Sequence, residues 1–282
     1  MPRGAEHLRT PVKKFRRNQA RMHLVMMLTL TFTTGIIDAV GYLGLDRVFT
    51  ANMTGNVVIL GMAIAQADGL PIVGPIVALA AFLLGAAIGG RVLRGGRAGW
   101  SGRSTISFGV TGGVLLGLGI STFFVVPEEN TPWAFTITGL LGAAMGLQAA
   151  AARKIAVADV TTVVVTSTIV GLASESKLAG GTGKNFPRRV LAVVLILAGA
   201  GVGALLLQVH IGVGMGVAGG LTLLVALTGH LLRERRREVV AREAEAAAAA
   251  AATATATPAA AVASGAPEAR SATDGANGDA RG

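Results

Sequence analysis

One acidic residue, Asp38, lies inside the first long apolar stretch of the chain, residues 22–45. A carboxylate within a membrane-spanning helix costs at least about 2.5 kcal/mol, so we expect it to face the protein interior or water. Thr34 and Tyr42 lie one helical turn before and after it, on the same helix face. Asp38 and Tyr42 are therefore candidates to line a solute path. In the alternative interpretation, Asp38 pairs with Arg47 or caps a helix.

A second polar group follows in residues 49–56, which read Phe-Thr-Ala-Asn-Met-Thr-Gly-Asn. Thr50 is a favoured N-cap type and predicts a short helix that begins just after it. Asn52, Thr54 and Asn56 would then place amide and hydroxyl groups at membrane depth. Because a helix N-terminus presents free N–H groups and a positive dipole end, it suits a small polar or anionic solute. Alternatively, these side chains act only as caps and interhelical hydrogen bonds.

Later polar residues extend the set of candidates. Gln148 is an amide within a long apolar stretch, and Asp159 or Thr161 has the residue type to cap a second short helix. Thr162 and Thr166 repeat the spacing of Thr50 and Thr54. The predicted path residues are Asp38, Tyr42, Thr50, Asn52, Thr54, Asn56, Gln148, Asp159, Thr162 and Thr166.

Other kinds of chemistry find little support in the sequence. The chain has no cysteine, which excludes a thiolate metal site, a disulfide and a cysteine nucleophile. Its four histidines are scattered and lack paired acids, and no Gly-Lys-Ser/Thr phosphate loop is present. We therefore predict no catalytic residues, no metal and no cofactor, and an enzyme is disfavoured.

Composition indicates a membrane protein. Hydrophobic residues make up 52% of the chain and charged residues 14%, whereas a soluble domain carries about 25% charged residues. The basic residues cluster directly before the first apolar stretch and after the last one, which is typical of cytoplasmic anchors beside a bilayer. The expected partner is the lipid bilayer and not nucleic acid.

Charge-free stretches show where the chain crosses the membrane, since a spanning helix needs about 20 apolar residues. Six spans are predicted, at residues 22–45, 69–90, 104–127 and 130–152 and as two spans within 190–232 joined by a turn near 208–210. Residues 48–67 and 160–174 are too short or too polar for a lipid-facing span. They predict re-entrant half-helices, which are tolerated only when buried in protein or lining a cavity.

The distribution of basic residues selects among topologies. With six spans and a cytoplasmic N-terminus, Arg47 is the single basic residue placed outside. Eight spans would move six more basic residues outside, namely Arg91, Arg94, Arg97, Arg103, Arg153 and Lys154. A seven-span chain with an external N-terminus fares no better. We expect a multi-pass protein of the bacterial cytoplasmic membrane with both termini in the cytoplasm.

The order of segments predicts an all-α, polytopic fold with an inverted repeat. Residues 22–127 and 130–232 would each form a span, a half-helix and two further spans, and three spans per half invert the second half. This transmembrane domain, residues 22–232, follows a basic N-terminal tail, residues 1–21. Residues 233–282 would form a basic juxtamembrane stretch and a disordered Ala-rich tail.

Glycines recur four residues apart throughout the apolar stretches, as in Gly85 and Gly89 or Gly109, Gly113 and Gly117. Small residues at this spacing let helix backbones approach closely, so we expect these stripes to pack against other helices. A substitution such as Gly113→Leu is expected to lower stability.

Two motifs resemble those of a known family. Residues 35–42, Gly-Ile-Ile-Asp-Ala-Val-Gly-Tyr, and 48–56, Val-Phe-Thr-Ala-Asn-Met-Thr-Gly-Asn, resemble the first-half motif of the bacterial YoaK-like membrane proteins. Residues 146–148 and 157–162 resemble the second-half motif, although Ser167 stands where the family usually has glycine. The resemblance spans about residues 22–232. It implies an integral membrane protein whose activity is not established, and it supplies no substrate.

Two functions are compatible with these features. The first is a permease or channel for a small solute, with a polar path between the two halves. The second is a membrane-embedded accessory or binding protein that transports nothing and assembles, for example as a homo-oligomer, through its glycine-rich helix faces.

The charge distribution makes a direct prediction about topology. Because the chain lacks cysteine, single introduced thiols report sidedness when intact cells are treated with an impermeant reagent. We expect Asn130→Cys to be labelled from outside and Gly99→Cys to be protected. External labelling at position 99 would refute the six-span topology.

Overall fold

The computed structural model describes residues 4–95, 99–155, 165–183 and 185–263, and these residues form eight α-helices. A short 3-10 turn, Lys177–Ala179, also occurs. The helices are α1 Gly4–Gly44, α2 Met53–Ile64, α3 Val73–Val92, α4 Gly102–Ser121, α5 Pro132–Ile155, α6 Val165–Ser174, α7 Phe186–Val209 and α8 Ile211–Ala263. No strand is present in this part of the chain, and the predicted all-α fold is confirmed.

Six of the helices found in the described ranges are long and apolar enough to cross a membrane. They are α3, α4, α5 and α7, together with α1 over Ala20–Gly44 and α8 over Ile211–Ala248. The other two, α2 and α6, have 12 and 10 residues. At 1.5 Å per residue they extend about 18 Å and 15 Å, roughly half of a bilayer's hydrocarbon core. The predicted six spans and two short helices are confirmed.

Local side-chain caps set the bounds of these helices. Ser101 caps α4 by accepting a hydrogen bond from the backbone N–H of Ser104. The Thr131 hydroxyl accepts one from Ala134, so that α5 begins at Pro132. His210 adopts an extended backbone between α7 and α8, and its Nδ1 accepts a hydrogen bond from the Gly212 N–H. This break confirms the turn predicted near residues 208–210.

The closest contact of α1 is with α7, where glycines meet backbone. A Cβ added at Gly35 would collide with the carbonyl of Ile196, and one added at Gly199 would collide with the carbonyl of Phe32. One turn further along both helices, Gly203 lies against Ile36 in the same manner. The helices therefore run parallel, and their glycines allow a separation that any side chain would prevent.

The same contact recurs between α5 and α3. Gly146 of α5 lies against the backbone of Phe82, and Gly85 of α3 lies against that of Ala143. The α5–α3 interface thus repeats the α1–α7 interface, with α5 in the place of α1 and α3 in the place of α7. Likewise, α2 packs on α3 and α6 packs on α7. These matched contacts are what an inverted repeat produces, and each half packs most tightly against the other half.

The direction of α8 shows which helices cross. A Cβ at Gly112 of α4 would meet Gly219 of α8, whereas one at Gly119 would meet Gly212, so these two helices are antiparallel. If α6 crossed the bilayer as α5 and α7 do, α4 and α8 would be parallel. Gly44 meets Ile211 and Val40 meets Gly214, so α1 and α8 form a second antiparallel pair and the number of crossings is even. Both relations fit six spans, with α2 and α6 entering without crossing.

Burial separates the spans into central and peripheral ones. The apolar windows of α1 and α5 are 72% and 56% buried inside the protein, whereas those of α3 and α7 are 28% and 17% buried. Each central helix is joined to one peripheral helix by glycines, but the backbones of α1 and α5 approach each other at few points. Among these helices, α1 groups with α7 and α6, and α5 groups with α3 and α2, while α4 packs on α5 and on α8. The less intimate α1–α5 contact lies between these two groups.

The first and last helices extend beyond the apolar spans. The backbone of α1 is already helical from Gly4, and α8 continues to Ala263. Alanine has the highest helix propensity, which explains why the Ala-rich run continues a preceding helix. Residues 235–282 form a second unit separate from the membrane-spanning one, and residues 264–282 lie outside the described ranges.

Not every glycine stripe packs against another helix of the described chain. A Cβ added at Gly109, Gly113 or Gly117 of α4 would have no neighbour within 4 Å among the described residues, and the same holds for Gly216 and Gly220 of α8. The spacing identifies a narrow stripe of small residues. Only the packing decides whether that stripe faces a helix or the surface.

Adjacent glycines in α4 provide a matched test. Gly112→Leu should lower the free energy of unfolding by about 2 kcal/mol or more, because its side chain would overlap the backbone of α8. Gly113→Leu should change it by less than about 1 kcal/mol, since its side chain enters open space. Thermal unfolding of the two purified variants in detergent measures both. Equal destabilisation would contradict the described α4–α8 contact.

Candidate functional site

The carboxylate of Asp38 binds three consecutive backbone N–H groups. Its Oδ1 accepts hydrogen bonds from Thr50 at 3.0 Å, Ala51 at 2.7 Å and Asn52 at 3.3 Å. Asp38 lies in α1, and these donors lie in the segment that leads into α2, so the interaction fixes the short helix to the long one. Hydrogen bonds to an ionised acceptor are stronger than neutral ones. This cluster is the hydrogen-bonded anchor of α2.

Asn56 closes the same segment from the α2 side. Its Oδ1 accepts from the Phe49 N–H at 2.9 Å, and its Nδ2 donates to the Phe49 carbonyl at 2.6 Å. Asn56 is fully buried, and both polar groups of its amide are satisfied. The ring of Tyr42 stacks on that of Phe49, with centroids 4.9 Å apart. The structure therefore brings Asp38, Tyr42, Asn56 and their neighbours together.

The cap of α2 is Asn52 and not Thr50. The Asn52 side chain accepts a hydrogen bond from the Gly55 N–H at 3.3 Å, and the helix begins at Met53. Thr50 is fully buried, and its hydroxyl donates to the Ile37 carbonyl of α1 at 3.5 Å. Because the Asp38 carboxylate holds the Thr50 backbone against α1, the threonine side chain cannot turn toward the start of α2.

These bonds change what the N-terminus of α2 can bind. The N–H groups of residues 50–52 are taken by Asp38, and that of Gly55 is taken by Asn52. A phosphate or carboxylate at a helix N-terminus needs such groups free. The chain supplies its own acceptors for these four N–H groups, so they are not free to bind an anionic solute.

Arg47 takes no part in this cluster. Its guanidinium donates to the Gly69 carbonyl at 3.1 Å, and the described residues contain no ion pair between Arg47 and Asp38. Of the two structural interpretations of Asp38, pairing with Arg47 is therefore wrong, and capping of the segment before α2 is what the structure contains.

Gln148 occupies a different place, at the contact between α5 and α1. Its Nε2 lies 3.5 Å from the hydroxyl of Thr34, which is one helical turn before Asp38. Its Oε1 has no hydrogen-bond partner among the described residues, although Gln148 is only 1% exposed. A buried polar atom without a partner costs about 1–3 kcal/mol, so its retention calls for an explanation.

Two further buried oxygens share this property, and the sequence interpretation missed both. Thr138 Oγ1 in α5 and Asp46 Oδ2 after α1 have no partner in the described ranges, while the other Asp46 oxygen accepts from the Asn130 N–H at 2.8 Å. Thr138 lies on the same face of α5 as Gln148, and this helical spacing could have identified it from the sequence. The sequence does not distinguish Asp46 from an exposed acidic residue of a loop, and the structure shows that it is buried.

The remaining predicted residues do not join either group. Thr54 and Thr166 are exposed on α2 and α6. Asp159 and Thr162 lie outside the described residues. Within the described ranges, no group of three or more His, Cys, Asp or Glu side chains could hold a metal ion.

The anchor cluster generates a stability prediction. Asp38→Leu should lower the free energy of unfolding by about 3 kcal/mol, because it leaves buried N–H groups without an acceptor. Asp38→Asn retains one acceptor oxygen and should cost about 1 kcal/mol. With Arg47→Gln, the effect of Asp38→Asn should be additive within about 0.5 kcal/mol, since the two side chains do not interact. Strong coupling between the two substitutions in this thermal-unfolding cycle would contradict this expectation and would indicate an ion pair between Asp38 and Arg47.

Comparison with known proteins agrees with this membrane fold. A region of 153 residues, 53% of the chain, is 32% identical to the UPF0700 transmembrane protein YoaK of Bacillus subtilis (strain 168). The match covers 65% of that relative's length, slightly under two thirds. No solved structure matches the chain. The model of the family described as protein of unknown function (DUF1275) matches residues 26–228. The chain is thus an integral membrane protein of the DUF1275 family, related to YoaK.

Proposed function

We propose that the protein is a permease or channel for a small solute, whose path follows the contact between α1 and α5. The observation that carries this proposal is the buried, unpartnered Oε1 of Gln148 at that contact. A polar atom kept without a partner at membrane depth is expected where a solute or water passes. In this proposal, the Gln148 side chain binds the solute transiently as the solute passes.

The arrangement of the helices supports the same position for the path. Glycine contacts join α1 to α7 and α5 to α3, so each pair behaves as a rigid unit. The α1–α5 contact lies between these units and has no such interlocking of backbones. Inverted repeats with two short helices are a recurrent transporter architecture, with the site between repeat-related elements. Small relative shifts of the two units would open and close this contact.

The Asp38 cluster has a supporting role in this proposal. The side chains of Asp38, Thr50, Asn52 and Asn56 each form a hydrogen bond with a backbone group of this region. They fix α2 beside the path and keep it rigid, while Gln148 and Thr34 contact the solute. Loss of the anchor would therefore affect stability first and transport second.

Cysteine accessibility tests the path without knowledge of the substrate. Leu141 is fully buried on the α5 face that carries Gln148, and its neighbour Leu140 is 45% exposed on the surface of the span. In membranes, we expect Leu141→Cys to react with a small water-soluble methanethiosulfonate and Leu140→Cys to stay unreactive. A thiol in lipid forms no thiolate, whereas one in an aqueous path does.

Matched glutamine variants are the control for this test. Gln148→Leu should leave the protein folded and make Leu141→Cys less reactive by drying the contact. Gln208→Leu, the same change at an exposed position of α7, should have no effect on reactivity. If Leu141→Cys is as unreactive as Leu140→Cys in every case, the α1–α5 contact is a dry core and the proposal is wrong.

A second candidate function is favoured by the uncovered glycines of α4. Gly109, Gly113 and Gly117 face no other residue within 4 Å in the described structure, and apolar side chains flank them, including Ile106 and Val110. Such a stripe suits another membrane helix, as in an accessory protein that assembles with copies of itself. An unreactive Leu141→Cys together with a dimer that Gly113→Leu dissociates would support this function over transport.

A further inference from the structure

We infer that the solute is a small cation that carries N–H donors, such as ammonium or a short primary ammonium. This inference rests on the proposed permease or channel function and names its substrate class. It starts from the three buried polar atoms that lack partners in the described ranges, Asp46 Oδ2, Thr138 Oγ1 and Gln148 Oε1. All three are oxygens that accept hydrogen bonds, and their residues are at most 4% exposed.

These oxygens follow one another along α5. Asp46 is bound to the Asn130 N–H, two residues before the first turn of the helix, and marks its start. Thr138 lies in the second turn. Gln148 lies about 15 Å further along, at 1.5 Å per residue. Thr138, Leu141, Met145 and Gln148 recur at helical spacing and share one face. The acceptors therefore form a series from one end of the span toward the other.

An anion would find no buried cationic side chain along this series in the described chain. The N–H groups that lead into α2 are occupied by Asp38 and Asn52. Among the buried residues of the described chain, the cationic one is Arg189, whose guanidinium donates to Glu175 and to the Gly171 carbonyl. The buried cation and the N–H groups of residues 50–52 and 55 are thus already bound by the protein, and the donors left on the series, the Thr138 hydroxyl and the Gln148 amide, are uncharged.

A bare metal cation is disfavoured by the spacing of the acceptors. Such an ion loses its water only when several oxygens surround it at once. Here Thr138 and Gln148 are separated by about 15 Å along the helix axis. An N–H donor binds one acceptor through a single directional bond and keeps water on its other donors, which fits isolated oxygens.

The charge at the Asp46 end favours a cation as well. The loops at this end of the spans carry Asp46, Asp68, Glu128 and Glu129, against a single basic residue, Arg47. Clustered charge of one sign raises the local concentration of the opposite ion. Among these acids, Asp46 is the buried one with an unpartnered oxygen, and it is the first acceptor that an entering cation would meet.

Electrogenic flux into proteoliposomes of the full chain tests the inference. The probes are guanidinium and methylammonium, which carry N–H donors, tetramethylammonium, which has the charge without donors, and nitrate as an anion. Guanidinium keeps its charge at any working pH and so does not leak across as a neutral species. We expect currents for the first two probes that exceed those for the others by about tenfold or more.

Substitutions test whether the flux depends on this series of oxygens. Asp46→Asn should raise the half-saturating guanidinium concentration by about tenfold, because it removes the charge. Gln148→Leu should abolish the current, and Gln208→Leu should leave it unchanged. Thermal unfolding of each variant confirms that it is folded, and Gln148→Asn, which keeps a shortened amide, should retain part of the current.

The outcomes separate this inference from the function on which it rests. Nitrate current without guanidinium current, or equal currents for tetramethylammonium and methylammonium, would overturn the cationic N–H class. Reactive Leu141→Cys with no current for any probe would overturn it too, while the path itself stands. Unreactive Leu141→Cys with no current would refute both.

Discussion

The fold depends on how the protein satisfies backbone groups that lipid cannot. A short helix that ends inside a membrane exposes N–H groups, and each one left unsatisfied in hydrocarbon costs several kcal/mol. Asp38 accepts three of these bonds with one oxygen, and Asn56 and Asn52 provide for Phe49 and Gly55. An acid within a span and a polar turn after it, each costly alone, thereby stabilise each other. This exchange allows α2 to enter the bundle without crossing.

Contacts between backbones also determine how the long helices pack. Within a bilayer, helices gain little from apolar burial, so close approach of backbones through glycine provides much of the attraction. Gly35, Gly85, Gly146 and Gly199 place this approach at α1–α7 and α3–α5, which join one half of the chain to the other. The halves are therefore interlocked and do not form separate lobes. The contact between α1 and α5, at the centre, is made by side chains and not by closely approaching backbones.

Polar side chains consequently divide into two classes with different roles. Those around Asp38 are engaged in internal hydrogen bonds to backbone groups and hold structure. Those along α5, from Asp46 to Gln148, keep an acceptor without an internal partner in the described chain. A membrane protein can retain such atoms only if something else satisfies them, which is why the second class and not the first carries the proposed function. The acidic loops beside Asp46 are consistent with a positively charged solute.

Much of the architecture was predictable from the sequence, because it follows from interactions between residues close along the chain. Apolar length and charge placement predicted six spans, two short helices and the break near His210, and the cost of a buried carboxylate predicted that Asp38 faces inward. The cap of α2 was misassigned to Thr50, since local type does not distinguish it from Asn52. Only tertiary structure decided that Asp38 meets Thr50, that Gln148 meets Thr34 across 114 residues, and that Gly112 packs while Gly113 does not. These outcomes depend on which face of each helix turns toward its neighbours. Spacing within one helix defines such a face, but only the packing of the other helices determines what lies against it.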